Sequence, residues 1–519
     1  TNRGSASGGV AVSILTTLHT PQQASNWLKA HVTGDLRVDS RQICPGDGFI
    51  AWPGAATDGR QFVGKAQAAG ATACLVEQDG LDDWALDGKN IASYHKLKAA
   101  TGRIAAEYYG HPSESISLLA VTGTNGKTST TWWIAQALQK LEQETLIQCA
   151  VIGTLGTGIA PQLVYNGLTT PDPVLLQQQL RQFASQGVKY CAIEASSIGI
   201  AERRLDGTQI RVALFTNLTH DHLDYHGDMA TYWQAKAELF RWPGLRAAVI
   251  NADDPQGLVL MDNLQDTGLD IWSYGLDATF KPRLLGKSIR YLAHAHGYGL
   301  AFDVCEGLES HTLYTNLIGQ YNVSNLLGVL GAMRSLGFSL VDAVKACSSV
   351  TPVPGRMECI VESGKPMAVV DYAHTPDALD KALEGLKPLV AERGGKLWCV
   401  FGCGGNRDAA KRPAMAAMAE RHADQVVVTS DNPRNEKPEA IISQILLGMS
   451  QGHQRAGHVH VELLRANAIQ FALSEAAPAD VVLIAGKGHE DYQEIAGVRH
   501  PFSDQDHARA ALDGRKELA

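Results

Sequence analysis

Apolar positions along the chain fall into short runs, such as Ile116–Val121, Lys189–Ile193, Val212–Thr216 and Ala247–Asn251, separated by longer stretches of amphipathic spacing. Such runs predict strands buried on both faces, and the stretches between them predict crossover helices. The repeat of strand, turn and helix implies parallel sheets with helices on both faces. Three α/β blocks follow. Residues 1–115 carry short strands at Asp47–Trp52 and Thr72–Val76. Residues 116–352 begin with Ile116–Val121 and include Ile271–Leu317, whose aromatic and β-branched residues predict an antiparallel patch. Residues 353–519 start after the Thr351–Pro354 turn, with strands at Met367–Asp371, Lys396–Phe401, Gln425–Thr429 and Val481–Ala485. No repeat of solenoid period is visible.

Composition narrows the class. A chain of 519 residues is too long for one core. Its net charge of −9 argues against a nucleic-acid or anionic-membrane surface. No apolar run is long enough to span a bilayer. Thr1–Gly9 are small and polar, without the apolar stretch of a secretory signal, and read as a loose terminus. The nine cysteines include no C-x-x-C pair, which fits free thiols in a reducing cytoplasm. Cys399 and Cys403 flank a glycine-rich turn but lack the partners a zinc site needs.

The segment Val121-Thr122-Gly123-Thr124-Asn125-Gly126-Lys127-Thr128-Ser129 follows a predicted strand and opens a helix. Glycines there let backbone N–H groups turn onto phosphates, and the helix aims its positive end at them. Lys127 offers a point charge to the β/γ oxygens, and Thr128 a hydroxyl to Mg²⁺. The full G-x-x-x-x-G-K-[ST] pattern is not met, because Val121 holds its first position. The segment Gly123–Ser129 resembles the ATP loop of the Mur ligases and folylpolyglutamate synthases, which join an amine to a carboxylate through an acyl phosphate.

Two further strand ends carry polar clusters, Glu194-Ala195-Ser196-Ser197 and Asn217-Leu218-Thr219-His220-Asp221-His222. Carboxyl ends of strands are where ligands of open α/β sheets bind. Moving a phosphoryl group onto a carboxylate brings two anions together, and two Mg²⁺ ions would offset that. A lone histidine reads equally as a hydrogen-bonded loop residue, and Lys236 reads as a solvated helix lysine. The Mur resemblance implies more: Thr128, Glu194, His222 and a carbamylated Lys236 as metal ligands. Asn322 and Asn325, by themselves helix-start caps, match the family's G-x-x-N-x-x-N adenine motif. Arg356 matches its G-R-x-E, a counter-charge for the γ-phosphate. Asp371 is implied at the ribose, and His374 beside the nucleotide.

On the substrate side, the resemblance places UDP at Val38, Ser40, Ala55, Ala56 and Thr57. It places the muramoyl-dipeptide at Thr169, Thr170, Ser196, Glu202 and Arg204. The chain departs from the family pattern at Ile198 and Glu202, where His and Gln are common. Three strand-end loops of the last block can converge on one pocket: Gly402–Asp408, Asp431-Asn432-Pro433-Arg434 and Gly486–Glu490. Asp-Asn-Pro-Arg resembles the family's diaminopimelate signature. The distal carboxylate of that amino acid suits Arg407 or Arg434, and its ammonium suits Glu490. Asp431, Asn432, Pro433 and Gly486 complete the implied set.

The resemblance implies a three-domain Mur ligase architecture. It has a smaller α/β N-terminal domain for UDP (1–115), a central P-loop ATPase-like parallel sheet (116–352) and a Rossmann-like C-terminal domain for the amino acid (353–519). It implies a cytoplasmic, monomeric, ATP- and Mg²⁺-dependent ligase of peptidoglycan precursor synthesis. The expected partners are UDP-N-acetylmuramoyl-L-Ala-D-Glu and meso-diaminopimelate, with neither nucleic acid nor membrane insertion. A lysine-adding ligase would be expected to lack Arg434. A folylpolyglutamate synthase would lack the Asp39-Ser40-Arg41 block. A non-catalytic nucleotide-binding protein is at odds with Lys127, Glu194, His222 and Lys236 all being present.

Overall fold

Strands buried on both faces have no polar side to mark them, so their length and bounding turns fix their place. The computed structural model describes residues 15–54, 57–86, 89–141, 148–294, 297–450 and 457–514. The Thr1–Gly9 segment and the site residues Ala55 and Ala56 lie outside the described residues. Among the described residues, no helix is long and apolar enough to cross a membrane. All nine cysteines are free thiols, and Cys399 and Cys403 are buried among apolar side chains.

The chain separates into two compact units. The first comprises residues 1–117, 166–189 and 198–209. Its sheet has five parallel strands in the order Thr16–Leu18, Ile91–Tyr94, Ala73–Glu77, Gly48–Ala51, Leu36–Arg37. Ile50, Leu75 and Ala92 enter one core, and Phe49, Val76 and Ile91 the other, as a period of two requires. The later segments are held here by side chains no local pattern shows. Gln178 Nε2 donates to Asp35 Oδ2 at 2.6 Å. The absent Cβ of Gly102 leaves room for the Asp206 backbone, which approaches closer than any side chain would allow.

The second unit holds two larger sheets. In the eleven-stranded one, Ser117–Thr122 lies between Ile210–Phe215 and Tyr190–Glu194, so three strand ends meet at one place. The antiparallel patch begins later than the sequence suggested. Asp270–Gly275 pairs in parallel with Ala247–Asn251, and antiparallel pairing starts only between Leu284–His294 and Gly297–Glu306. The helix Pro255–Leu264 is the reason, because a crossover of that kind returns the chain in parallel. Helices Lys127–Leu141, Tyr321–Ser335 and Leu340–Cys347 cover one face of this sheet.

The third sheet has the order Glu358–Ile360, Met367–Asp371, Val481–Ala485, Leu397–Phe401, Gln425–Val428, Val459–Val461, with only the first strand antiparallel. Alternate residues again separate cleanly. Met367, Leu397, Cys399 and Leu483 pack under the helices Pro376–Arg393, Lys411–His422 and Pro438–Leu446. Ala368, Trp398, Val400 and Ile484 pack under Arg465–Glu475 and Asp504–Asp513. A hairpin, Tyr492–Ile495 with Val498–Pro501, was not foreseen.

A fully buried ion pair anchors the ends of this sheet. Arg465 donates from Nε and a terminal nitrogen to the two Asp504 oxygens, both at 2.7 Å. The same guanidinium reaches the carbonyls of Ala485 (3.0 Å) and Ser430 (3.4 Å), the residues just before two of the functional loops. Arg465→Met should therefore lower the thermal unfolding midpoint, since an uncompensated buried charge costs about 3–5 kcal/mol. Arg465→Met/Asp504→Leu should recover most of the loss. A calorimetric scan showing an unchanged midpoint for the single variant would contradict this role.

Candidate functional site

The loop after Ser117–Thr122 bends through Gly123 (φ +143°) and Gly126 (φ +86°). A side chain at Gly123 would collide with Thr216 Oγ1, and one at Gly126 with Asn325 Oδ1. Glycine is thus needed for close approach to two neighbouring elements as well as for the turn. Asn217 Oδ1 accepts from Asn125 N at 3.0 Å, and Thr216 Oγ1 donates to Asn125 O at 2.6 Å. The helix Lys127–Leu141 then starts with its N-terminus at the loop.

Charge is concentrated around this loop. Lys127 Nζ donates to Gly123 O (2.9 Å) and Thr124 O (2.8 Å). Lys236 is buried, not solvated as an isolated helix lysine would be, and its Nζ donates to the same Gly123 O at 2.7 Å. It also lies 4.3 Å from the centroid of Tyr232, whose hydroxyl meets Thr124 Oγ1 at 3.1 Å. Burial, reinforced by the Lys127 charge, pushes the Lys236 ammonium well below its ordinary range. Burial also lowers Lys127.

Glu194 closes the cluster from the neighbouring strand. Its carboxylate accepts from Thr128 Oγ1 (3.0 Å), Thr154 N (2.8 Å) and Thr154 Oγ1 (3.2 Å). Arg356 reaches Thr128 Oγ1 at 3.3 Å and stacks over Tyr372, 4.4 Å from the ring centroid. His222 stands in a left-handed conformation (φ +53°), with Nε2 3.5 Å from Asp221. Burial lowers its pKa, so the imidazole is neutral and keeps a lone pair for a ligand. Ser196 follows Glu194 on this unit, and the adjacent Ser197 hydroxyl meets His226 Nε2 at 3.0 Å.

A cavity of about 230 Å³ adjoins the loop. It is lined by Asn125, Gly126, Ser129, Asn322, Asn325, Arg356, Asp371 and His374, so most residues predicted for ATP are brought together there. Asn325 Nδ2 donates to Asn322 Oδ1 (3.1 Å), and Asn322 Nδ2 to Ile318 O (2.8 Å). Asp371 already accepts from Met357 N (2.7 Å) and Ala373 N (2.8 Å), which fixes the turn carrying Arg356. Burial raises the Asp371 carboxyl and lowers His374 to about 4. Sequence reasoning missed Asn251, Asp253, Tyr321, Tyr372 and Lys381 in this lining. The available signal was Asn251-Ala252-Asp253-Asp254, a polar string directly after a buried strand.

The first unit has its own cavity, of about 490 Å³, walled by Val38, Ser40 and Thr57 among others. Asp39 and Asp58 each cap a short 3-10 turn and are each clasped by the arginine two residues on, Arg41 and Arg60, at 2.7 Å. The Arg41 hydrogen bond holds the Asp39 carboxyl below the usual carboxylate range. In the same unit Arg204 donates to Thr170 O at 3.0 Å, next to Thr169, and Glu202 pairs with Lys98 at 2.5 Å.

The three loops of the third sheet do converge. The Gly405 backbone abuts Pro433 O, and Gly486 leaves room for Asp431 Oδ2. Arg407 and Arg434 both flank Gly404. Arg434 adopts φ +52° and is pinned by Arg434 N to Glu494 O (3.0 Å) and Ala496 N to Arg434 O (2.7 Å). Its side chain donates to Gly405 O at 2.8 Å. Asn432 Nδ2 donates to Glu490 Oε2 at 2.8 Å.

Comparison with known proteins matches this layout. Family models described as Mur ligase family, catalytic domain, Mur ligase middle domain, and Mur ligase, glutamate ligase domain match residues 35–109, 121–333 and 355–488. The chain is 60% identical over 508 residues to the UDP-N-acetylmuramoyl-L-alanyl-D-glutamate--2,6-diaminopimelate ligase of Acidovorax sp. (strain JS42), covering 97% of this chain and 99% of that one. It is 44% identical to the Pseudomonas aeruginosa ligase of the same name, over 92% and 94% of the two chains. A solved structure of a ligase so named aligns with TM-score 0.63 at 37% identity, over 92% and 94% of the chains. The fold alone is shared with a Thermotoga maritima MurF ligase in complex with ADP (TM-score 0.64, 18% identity, 93% and 97% of the chains). Loop, acid cluster and three-sheet architecture together make this chain a member of the Mur ligase family, the ATP-dependent ligases that form amide bonds.

Proposed function

We propose that this ligase adds meso-diaminopimelate to the D-Glu γ-carboxylate of UDP-N-acetylmuramoyl-L-Ala-D-Glu, in cytoplasmic peptidoglycan precursor synthesis. The observation that carries the amino-acid choice is the pairing of Arg407 and Arg434 around Gly404, on loops shared with Asn432 and Glu490. An arginine at Gly404, with Arg407 on the adjoining turn and the Glu490 carboxylate on a converging loop, suits the distal amino-acid head of diaminopimelate, with Asp431, Pro433 and Gly486 shaping the loops. The names of the similar ligases point the same way. In this reading residues 1–115 hold UDP through Val38, Ser40 and Thr57. Residues 116–352 hold ATP through Gly123–Ser129, Asn322 and Asn325, and residues 353–519 hold the amino acid. Thr169, Thr170, Ser196, Glu202 and Arg204 take the muramoyl-dipeptide.

The chemistry has two steps. The D-Glu carboxylate oxygen attacks the γ-phosphorus of ATP, the β–γ bond breaks and ADP leaves, giving an acyl phosphate. The neutral amine of diaminopimelate then attacks the acyl carbon, the tetrahedral intermediate collapses, phosphate leaves and the amine gives up a proton. Lys127 and Arg356 offset the charge on the phosphoryl group in the first step, and Asp371 and His374 shape the nucleotide cavity. Thr128, Glu194 and His222 offer hard oxygen and imidazole donors that fit two Mg²⁺ ions. Those ions, when bound, supply charge neutralisation between the two anions.

Lys236 fits carbamylation. Its depressed pKa favours the neutral amine over the ammonium, and the amine nitrogen can bond to the carbon of CO₂ while a proton is lost. The resulting anion would relieve the two-ammonium crowding at Gly123 and give Mg²⁺ an oxygen donor. A crystal structure should show a CO₂ adduct on Lys236, and Lys236→Ala should lose ligation. A bare lysine together with a fully active variant would refute it.

The amino-acid assignment is tested by Arg434→Ala. Truncating one side of a part-buried charge-assisted pair should raise the diaminopimelate KM at least about tenfold. The KM values for ATP and the UDP-linked dipeptide should move much less. L-Lysine, lacking a distal carboxylate, should be used no worse than before. Steady-state kinetics that show an unchanged diaminopimelate KM, or a wild type that prefers lysine, would move the assignment to the lysine-adding class.

A further inference from the structure

Lys487 is an ionisable side chain with no solvent exposure, in the loop Gly486-Lys487-Gly488-His489-Glu490. Its Nζ donates to Asn432 Oδ1 at 3.0 Å and to Glu490 Oε2 at 2.9 Å, and lies 3.8 Å from Asp431 Oδ1. It also sits 5.4 Å from the Tyr492 ring centroid. An ammonium taken out of water is unfavourable unless such partners compensate it, so its position is tightly specified.

Those contacts dictate how its neighbours point. Asn432 Oδ1 accepts from Lys487 and from Glu494 N (2.9 Å), which forces the Asn432 amide nitrogen toward Glu490 Oε2 at 2.8 Å. Glu490 therefore accepts two hydrogen bonds on Oε2. Among the described residues, Oε1 accepts none. Arg465 also ties these loops together, holding the Ser430 and Ala485 carbonyls against its Asp504 pair.

The geometry points to Lys487 as the positioning residue of the amino-acid pocket. It clamps one oxygen of Glu490 and keeps the other, Oε1, as the acceptor for the distal ammonium of the incoming amino acid. This rests on the diaminopimelate reading above, and it divides the labour. Arg434 selects the distal carboxylate, while Lys487 acts through Glu490 on the distal ammonium.

The test compares meso-diaminopimelate with 2-aminopimelate, which keeps the distal carboxylate and lacks the second amine. Wild type, Lys487→Met, Lys487→Gln, Glu490→Gln and Lys487→Met/Glu490→Gln are assayed as full-length enzymes. Wild type should favour diaminopimelate in KM by at least about tenfold. Lys487→Met should erase most of that preference while its KM values for ATP and the UDP-linked dipeptide stay within about twofold. Lys487→Gln, which keeps a donor to Glu490, should retain part of it. The double variant should be no worse than Glu490→Gln alone, as expected for two residues on one pathway. Additive losses, or Lys487 variants that keep the full preference, would overturn the proposal. So would a wild type that does not discriminate, a result that decides the matter even if Lys487→Met fails to fold. A wild type that ligates neither compound would instead overturn the diaminopimelate reading itself.

Discussion

Two ammonium groups, from Lys127 and Lys236, donate to one backbone carbonyl, that of Gly123. This crowding is the constraint around which the site is arranged. Burial is the main penalty on both charges, with the Lys127 charge further disfavouring that of Lys236 and Arg356 further disfavouring that of Lys127. Glu194 and Asp221 offset these charges only in part. Glu194 is bonded to Thr128 and Thr154, and Asp221 is paired with His222. The result is a pocket in which Lys127 and Arg356 face the phosphate loop, as phosphates and a carboxylate need if they are to approach one another.

That pocket is tied to the third sheet through a short run of packed groups. Arg356 bonds Thr128 at the phosphate loop and lies on Tyr372. Asn125 donates to Asp377 at 3.0 Å, in the first turn of the helix Pro376–Arg393. Gly355, beside Arg356, packs so closely on Gly488 and His489 that no side chain would fit. The turn that carries Arg356 is therefore in direct contact with the loop that holds Lys487 and Glu490. Burial keeps His489 and His374 largely uncharged, lowered to about 3 and about 4, so they add no further cations to this junction.

Much of this was legible in the sequence, for a physical reason. Strands such as Met367–Asp371 and Val481–Ala485 are apolar throughout because helices cover both faces, so their ends are visible as abrupt switches to Gly, Asp or Asn. The candidate site residues sit at those switches, the phosphate loop, Glu194 and Asp431–Arg434 among them. What escaped was set by distant partners. Arg465 and Asp504 carry no sequence signal that pairs them, and the burial of Lys236, which by itself reads as a solvated helix lysine, comes from remote segments. Residues 166–189 and 198–209 join the first unit through pairs such as Gln178 with Asp35. Asp270–Gly275 was read as antiparallel because its aromatic content resembles the patch that follows it, whereas the preceding helix makes it parallel.

The central claim is that one chain phosphorylates a specific carboxylate and delivers a specific amine to it. The direct measurement is phosphate release, followed together with the mass of the nucleotide-linked product, as ATP, UDP-N-acetylmuramoyl-L-Ala-D-Glu and meso-diaminopimelate are supplied singly, in pairs and together. The account predicts phosphate and tripeptide product appearing in equal amounts, in quantity only when all three are present. Rapid phosphate release that does not depend on the dipeptide, or no amide product from the complete mixture, would contradict it.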